Sequence, residues 1–270
     1  MLPVCLTVDA EPDCPPFLEG WRGMREGMPL LMNLLESEGV PATFFVTGAA
    51  AERYPEAVRE LVAAGHELGC HGWSHRAFTA LTDDEAEEEI RASAALLRRS
   101  ASVTAFRAPF LRLPERHLPL LVRNGFQVDA SLGKYKPAHW AEGRRAWAGR
   151  AARPGPDRPG PDRPGEDRPP PLPRLAASVT SSFLRAPAWI RDPVLRRLSA
   201  PVVLFVHPWE LVDLRDSDLR WDCRVGTGPG VVEALREVIA LFRERGATFR
   251  RVTDAAAEAS GRANADGAGP

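Results

Sequence analysis

The sequence predicts an α/β fold with a parallel sheet, closed or nearly closed, and three observations carry that expectation. Short apolar runs rich in β-branched and aromatic residues, among them 4–8, 42–46 and 201–206, alternate with stretches of helical periodicity. Several runs end on a polar or charged residue: Asp9, His71, Arg107, Asp129 and His207. In parallel α/β folds the carboxyl ends of the strands are where sites are built. The chain has 270 residues, 44% of them hydrophobic, enough to bury one large core, so a single domain over 1–259 is expected.

Residues 4–8 read as a buried strand running into Asp9-Ala10-Glu11-Pro12-Asp13. Asp9 and Glu11 are two apart, so in extended backbone they project to the same face. Met28, Leu31, Met32, Leu34 and Leu35 follow helical spacing, and Gly39 stops that helix. A second strand at 42–46 precedes a helix over 52–64, with Pro55 near its start and Gly65 at its end. A third strand, 67–70, leads into His71-Gly72-Trp73-Ser74-His75. Thr82-Asp83-Asp84-Glu85 is a capping box, opening a helix to about Ser100 that carries Ile90, Ala94 and Leu97 on one face. Strands at 103–106 and 126–128 end at Arg107 and Asp129, with a helix over 118–122 between them.

Regularity fails at about 141–173. Arg153-Pro154-Gly155-Pro156-Asp157 recurs at 158–162 and, with one change, at 163–167. Such a repeat has no apolar residues to bury, and proline forbids a regular ladder, so a disordered surface insertion is expected. Residues 175–198 should pack near the site as a loop with a short helix. A last buried strand, 201–206, precedes His207; 231–242 is helical, 248–252 is a closing strand, and 260–270 is a frayed tail.

Composition narrows the partners. The 35 basic and 36 acidic residues give a net charge of -1, which leaves no electrostatic footprint for nucleic acid or an anionic membrane. No obligate protein partner is indicated. The N-terminal stretch lacks the parts of a signal peptide, and no segment approaches the ~18 apolar residues of a membrane span, so a cytoplasmic chain is expected. Cys5, Cys14, Cys70 and Cys223 show no disulfide framework. Cys70, beside His71, should point away from it as a buried thiol.

The candidate chemistry centres on His71 and His75. Two imidazoles four apart can converge on one metal ion, although the spacing alone recurs by chance. Asp9, Glu11, Arg107, Asp129 and His207, each at a strand end, complete the parts of a metal-assisted hydrolase. Taken singly each has a plain structural reading: an acidic loop, a satisfied core histidine, an Arg107–Asp129 ion pair. Ser131 lacks a nucleophile elbow and reads as a structural hydroxyl. His66, His117 and His139 read as non-catalytic, and Trp73, Trp140, Trp209 and Trp221 are candidates for stacking on a sugar or for the core.

Five ordered blocks, Thr7-Val8-Asp9-Ala10-Glu11, His71-Gly72-Trp73-Ser74-His75, Arg107-Ala108-Pro109-Phe110, Asp129-Ala130-Ser131 and Leu204-Phe205-Val206-His207, resemble the polysaccharide deacetylase superfamily. That resemblance implies a distorted, incomplete (β/α) barrel and hydrolysis of an N-acyl group, acetyl or formyl, from an amino sugar. It implies a divalent metal, most often zinc. It casts Asp9 as general base, His71 and His75 as metal ligands, Arg107 as the group holding Asp9, and His207 as general acid. Asp129 joins this catalytic set, and Phe110, Trp209 and Trp73 are assigned to the substrate. The family's usual second aspartate is replaced by Ala10, so Glu11 is expected as third ligand, with Asp13 in reserve.

Trp21-Arg22-Gly23-Met24-Arg25-Glu26-Gly27-Met28-Pro29 resembles deformylases acting on lipid-linked aminoarabinose, and His207-Pro208-Trp209-Glu210 resembles deacetylases of exopolysaccharide synthesis. A glycan or a lipid-linked aminosugar is thus the implied substrate, with transient docking at the inner membrane face compatible with it. Two other readings stay open: a small-molecule amidase of the allantoinase-like branch, and an inactive carbohydrate-binding relative suggested by Ala10. Retention of Asp9, Arg107 and His207 argues against the second.

Overall fold

Strand β1 (Leu2–Ala10) is the centre of the molecule, with β2 (Ala42–Val46) and β7 (Val202–Val206) parallel to it on its two edges. The computed structural model describes residues 1–136 and 172–266. Beyond β2 follow β3 (Glu67–Cys70), β4 (Ala105–Phe106), β5 (Val128–Gly133) and β6 (Arg174–Ala177), giving the order β6-β5-β4-β3-β2-β1-β7. A short β8 (Ala247–Phe249) pairs with the first residues of β1. Every pairing is parallel, as crossover helices require. The ends of the sheet, β6 and β7, approach without a strand ladder. Just past β6, Ser178 donates its backbone N–H to Val203 O (2.7 Å), and its hydroxyl accepts from Val203 N (3.0 Å). The result is a nearly closed barrel with one unsealed seam.

The period of two along β1 sets the layers. Val4, Leu6, Val8 and Ala10 face outward and pack, with Leu31, Leu61, Ile90 and Leu235, into the main core under the helices. Each fully buried large aliphatic side chain there stabilises the fold by roughly 1.5–3 kcal/mol. The alternate residues face the barrel interior. Cys5 belongs to a second cluster with Phe45, Val128, Leu175 and Val203, and above it Thr7 and Asp9 lead toward the mouth. Asp9, His71, Arg107 and His207 therefore meet at one end because each sits at the carboxyl end of a strand.

Four expectations need correction. The helix predicted over 52–64 is two, Gly48–Arg53 and Pro55–Ala63, broken at Tyr54. Pro55 lacks an N–H and keeps the preceding residue out of helical geometry, and Tyr54 has φ -128 and ψ 58. Strand β6 was expected as loop; its four residues are all buried. The closing strand ends at Phe249, and Val252–Asp266 is helix where a strand end and a frayed tail were expected. Glu67 Oε2 accepts from the backbone N of Val252 (2.9 Å) and Thr253 (3.4 Å), satisfying donors that a helix start leaves open. Ala255 and Ala256 then close the interior floor. Of the expected insertion only its last two residues are described, and 267–270 also lie outside the described residues. Among the described residues no helix is long and apolar enough to cross a membrane.

Candidate active site

Three donor atoms converge at the mouth. Glu11 Oε2 lies 3.2 Å from His71 Nε2 and 2.6 Å from His75 Nε2, and all three residues are buried. His71 follows β3 directly, and Gly72, at φ +73, reverses the chain toward His75. Glu89, from the helix Asp83–Leu97, braces the intervening loop: its Oε2 accepts from the backbone N of Trp73 (2.7 Å) and Ser74 (2.9 Å).

The fit to a divalent ion can be tested on the hydrogen bonds. His71 Nδ1 faces the Arg107 carbonyl at 2.7 Å, which can only accept, so Nδ1 carries a proton. In the neutral ring Nε2 is then a lone pair aimed at a carboxylate. Lone pairs that face one another in a buried cluster repel unless a cation or protons lie between them. Two imidazole nitrogens and one carboxylate oxygen are the donor set of a catalytic divalent site that keeps a coordination position open. Burial pushes the Glu11 carboxyl up, but the neighbouring His75 and His207, with the imidazoles of His71 and His75 at its oxygen, hold it well below the usual carboxylate range. Glu11 is thus an anion ready to bind a cation. Ala10 is buried on the outer face, and Asp13 is occupied elsewhere, its oxygens accepting from the N–H groups of Arg22 and Gly23, each at 2.7 Å. The reserve ligand is a loop anchor.

Beside this cluster stand Asp9 and His207. Arg107 donates Nη1 to Asp9 Oδ1 (2.6 Å) and Thr7 Oγ1 (2.8 Å), and Nε to Ala130 O (3.2 Å). Its guanidinium lies over Phe45 at 4.3 Å and Phe205 at 5.7 Å. His207 Nε2 sits 3.6 Å from Glu11 Oε1 and 4.0 Å from Asp9 Oδ2. Burial would lower the His207 pKa, but the carboxylates of Glu11, Glu210 and Asp9 raise it to about 9. Trp209 stacks on His207, ring centroids 4.9 Å apart, and donates Nε1 to Glu11 Oε1 (3.3 Å). Asp9, Glu11, His71, His75, Phe110, His207 and Trp209 line one pocket of about 230 Å³.

Two predicted site residues are elsewhere. Asp129 does not pair with Arg107: its Oδ2 faces Arg174 Nε at 2.7 Å and its Oδ1 accepts from Ser131 N at 2.9 Å. The competing cation comes from β6, which the sequence reading lacked. Trp73 packs on Gly48, where a Cβ would meet its ring, and is not among the pocket-lining residues. Phe110 does line the pocket, its ring edge-on to His75 at 4.7 Å, and its backbone is left-handed at φ 59. Ser131 Oγ accepts from Ala108 N at 2.8 Å, as a structural hydroxyl does. His117 contacts Asp83 Oδ1 (3.1 Å) and His66 accepts from Ala42 N (3.3 Å), both away from the pocket. Cys70 is buried against Ser93. Trp221 is 70% exposed, and His139 and Trp140 lie outside the described residues. Unforeseen were Tyr135, Arg185 and Cys223 in the pocket wall, and Glu210 behind His207. Glu210 had a sequence signal in its spacing of three from His207, and Arg185 falls in the stretch 175–198 expected near the site.

Residues 3–128 match the family described as Polysaccharide deacetylase. Among curated proteins, the chain is 33% identical over 108 residues to a peptidoglycan deacetylase of Helicobacter pylori, covering 39% of this chain and 37% of that one. It is 30% identical over 132 residues to a chitooligosaccharide deacetylase of Sinorhizobium fredii, covering 48% and 55%. The chain thus spans less than two thirds of either relative. Among solved structures, the Bc1960 peptidoglycan N-acetylglucosamine deacetylase superposes with a TM-score of 0.58 at 19% identity, over 93% of this chain and 86% of that one. At that identity the likeness speaks for the fold.

Proposed function

We infer, from a chain that carries a polysaccharide deacetylase domain, that the protein is a metal-dependent hydrolase removing an N-acyl group from an amino sugar of a glycan. The observation that carries this is the placement of Glu11, His71 and His75 against Asp9 and His207 within one pocket. A binding module has no use for a separate base and acid beside a cation site.

A divalent ion, zinc by preference, held by Glu11, His71 and His75 would supply Lewis acidity toward the acyl carbonyl and toward water. The protein's own residues do the rest. Asp9, held at Oδ1 by Arg107, keeps Oδ2 for the proton of the attacking water. His207 hands its Nε2 proton to the departing amine, which leaves poorly as an anion. Phe110 and Trp209 form apolar walls for the sugar ring. Whether acetyl or formyl is removed, and whether the amino sugar is polymeric or lipid-linked at the inner membrane face, belongs to the same reading. The lipid-linked form is supported by the likeness of residues 21–29 to aminoarabinose deformylases.

The test is metal content by elemental mass spectrometry for wild type, Glu11→Ala and His71→Ala, with release of acetate or formate from N-acylated sugars measured in parallel. About one ion in wild type, lost in both variants along with hydrolysis, is expected for a site of this donor set. A wild type that takes up no zinc would favour an inactive carbohydrate-binding protein. Hydrolysis confined to non-sugar amides would favour a small-molecule amidase.

A further inference from the structure

We propose that Glu210 is the positioning residue that aims His207 at the leaving amine, and that Arg185 fixes Glu210 from behind. The inference rests on the hydrolase reading above and assigns two residues that it does not contain.

Asp129, which the sequence placed in the catalytic set, has both oxygens occupied by Arg174 and Ser131 and does not reach His207. Glu210 lies three residues after His207 on the single turn Pro208–Leu211 and is fully buried. Its Oε1 contacts the same histidine twice, at the backbone N (3.1 Å) and at ring Nδ1 (2.6 Å). An ionised carboxylate only accepts, so Nδ1 is protonated and Nε2 is the nitrogen turned toward Asp9 and Glu11. Two bonds to one oxygen, with Trp209 stacked on the ring, hold the imidazole in one rotamer. The other oxygen, Oε2, is 2.6 Å from Arg185 Nε.

Arg185 is half-buried as a residue, but its side chain is only 3% exposed. It donates Nη1 to the carbonyls of Cys223 and Val225 and Nη2 to that of Asp222. Cys223, Asp222 and Arg185 itself line the same pocket as Glu11, His71 and His75. One guanidinium therefore ties the carboxylate behind the general acid to a segment of the pocket wall. A carboxylate buried so deeply needs a cation partner, and this one is placed where it also sets the pocket wall. In the reaction the His207 Nε2–H bond breaks as the amine N–H forms and the acyl C–N bond breaks. The ring becomes neutral and keeps its Nδ1 proton on Glu210, so the carboxylate stays an anion throughout.

The experiment compares zinc-loaded wild type, Glu210→Gln, Arg185→Met and Asp129→Asn on two substrates. N-acetylglucosamine oligomers release an amine that must be protonated; 4-nitrophenyl acetate releases a phenolate that need not be. Glu210→Gln is expected to lower kcat on the amide about 10²-fold with KM nearly unchanged, while ester hydrolysis falls less than about threefold. Arg185→Met should show the same selectivity at smaller amplitude, and Asp129→Asn should slow both substrates equally. Histidine ring ¹⁵N spectra, assigned with His207→Ala, supply a readout without substrate. The His207 Nδ1–H signal should shift in Glu210→Gln and stay in place in Asp129→Asn. Equal loss on amide and ester in Glu210→Gln, or an unmoved His207 signal, overturns the proposal. A wild type inactive on both substrates sinks the hydrolase reading instead, and the spectra still decide whether Glu210 holds His207.

Discussion

The buried pair of Arg107 and Asp9 is the place where fold and chemistry are hardest to separate, and a double-mutant cycle can separate them. Arg107 is fully buried and Asp9 is 4% exposed, 2.6 Å apart. Replacing Arg107 by Met keeps much of the volume between Phe45 and Phe205 but leaves the Asp9 carboxylate without its cation, a loss of about 3–5 kcal/mol. The Thr7 hydroxyl and the Ala130 carbonyl also lose a donor, adding about 1 kcal/mol or more each. The total, about 5–7 kcal/mol, is a large part of an ordinary domain's stability of about 5–15 kcal/mol. Asp9→Asn alone strands the guanidinium and should cost about 2–4 kcal/mol by the same reasoning. The double variant buries no unpaired charge from this pair, so it should be more stable than the sum of the single losses predicts, by about 2 kcal/mol or more. The assay is urea unfolding of chelator-stripped protein, so that metal binding adds nothing to the native state, with constant m-values as the check on a common unfolded state. Additive losses within about 0.5 kcal/mol would refute the reasoning, because the two charges would then not depend on one another.

Two further outcomes follow from the site. The proposed hydrolysis draws on protonated His207, whose pKa is raised to about 9, so kcat/KM should fall as pH rises through about 9 and should show no inflection from His207 near pH 7; a fall already complete near 7 would contradict it. Glu89 braces the loop between His71 and His75 without touching either ring, so Glu89→Ala should weaken zinc affinity about 10- to 100-fold in a chelator competition while Glu11 remains in place.

Much of the site could be read from the sequence because its residues stand at fixed places in a local pattern. A run of buried β residues followed by a polar one marks a strand end, and a parallel sheet brings such ends together without any further information. Asp9, His71, Arg107 and His207 were found that way. Asp129 was picked by the same pattern but lies second in β5 (Val128–Gly133), not at a strand end, and its partner is decided by β6. That strand is four residues, Arg174-Leu175-Ala176-Ala177, with two alanines and no β-branched side chain, so no periodicity announces it. The arginine that occupies Asp129 enters the interior only once β6 has joined the sheet edge. The helix from Val252 was lost for another reason: Arg250, Arg251 and Val252 looked like strand continuation, whereas the start is fixed by Glu67, 185 residues earlier. Trp73 was read as a platform for sugar, but the absent Cβ of Gly48 draws its ring into the wall.

The acid proposed to hold the cation, Glu11 where position 10 is alanine, has a structural counterpart in the stretch after His207. Along β1 an odd position faces the interior and an even one the helices, and Ala10, paired in register with Val46, lies in the outer layer. Glu11, the next odd position just past the end of the strand, falls on the interior side again, and its longer side chain reaches the mouth. One oxygen then meets both histidines, and the other accepts from Trp209 Nε1. The same indole stacks on His207, and the next residue, Glu210, holds that ring from its far edge. Four consecutive residues, His207-Pro208-Trp209-Glu210, thus orient both the proton donor and the carboxylate of the cation site. A change at Trp209 should therefore be felt at two places at once: Trp209→Phe removes the bond to Glu11 while keeping an aromatic face on His207. It should lower zinc affinity without the amide-selective loss expected from Glu210.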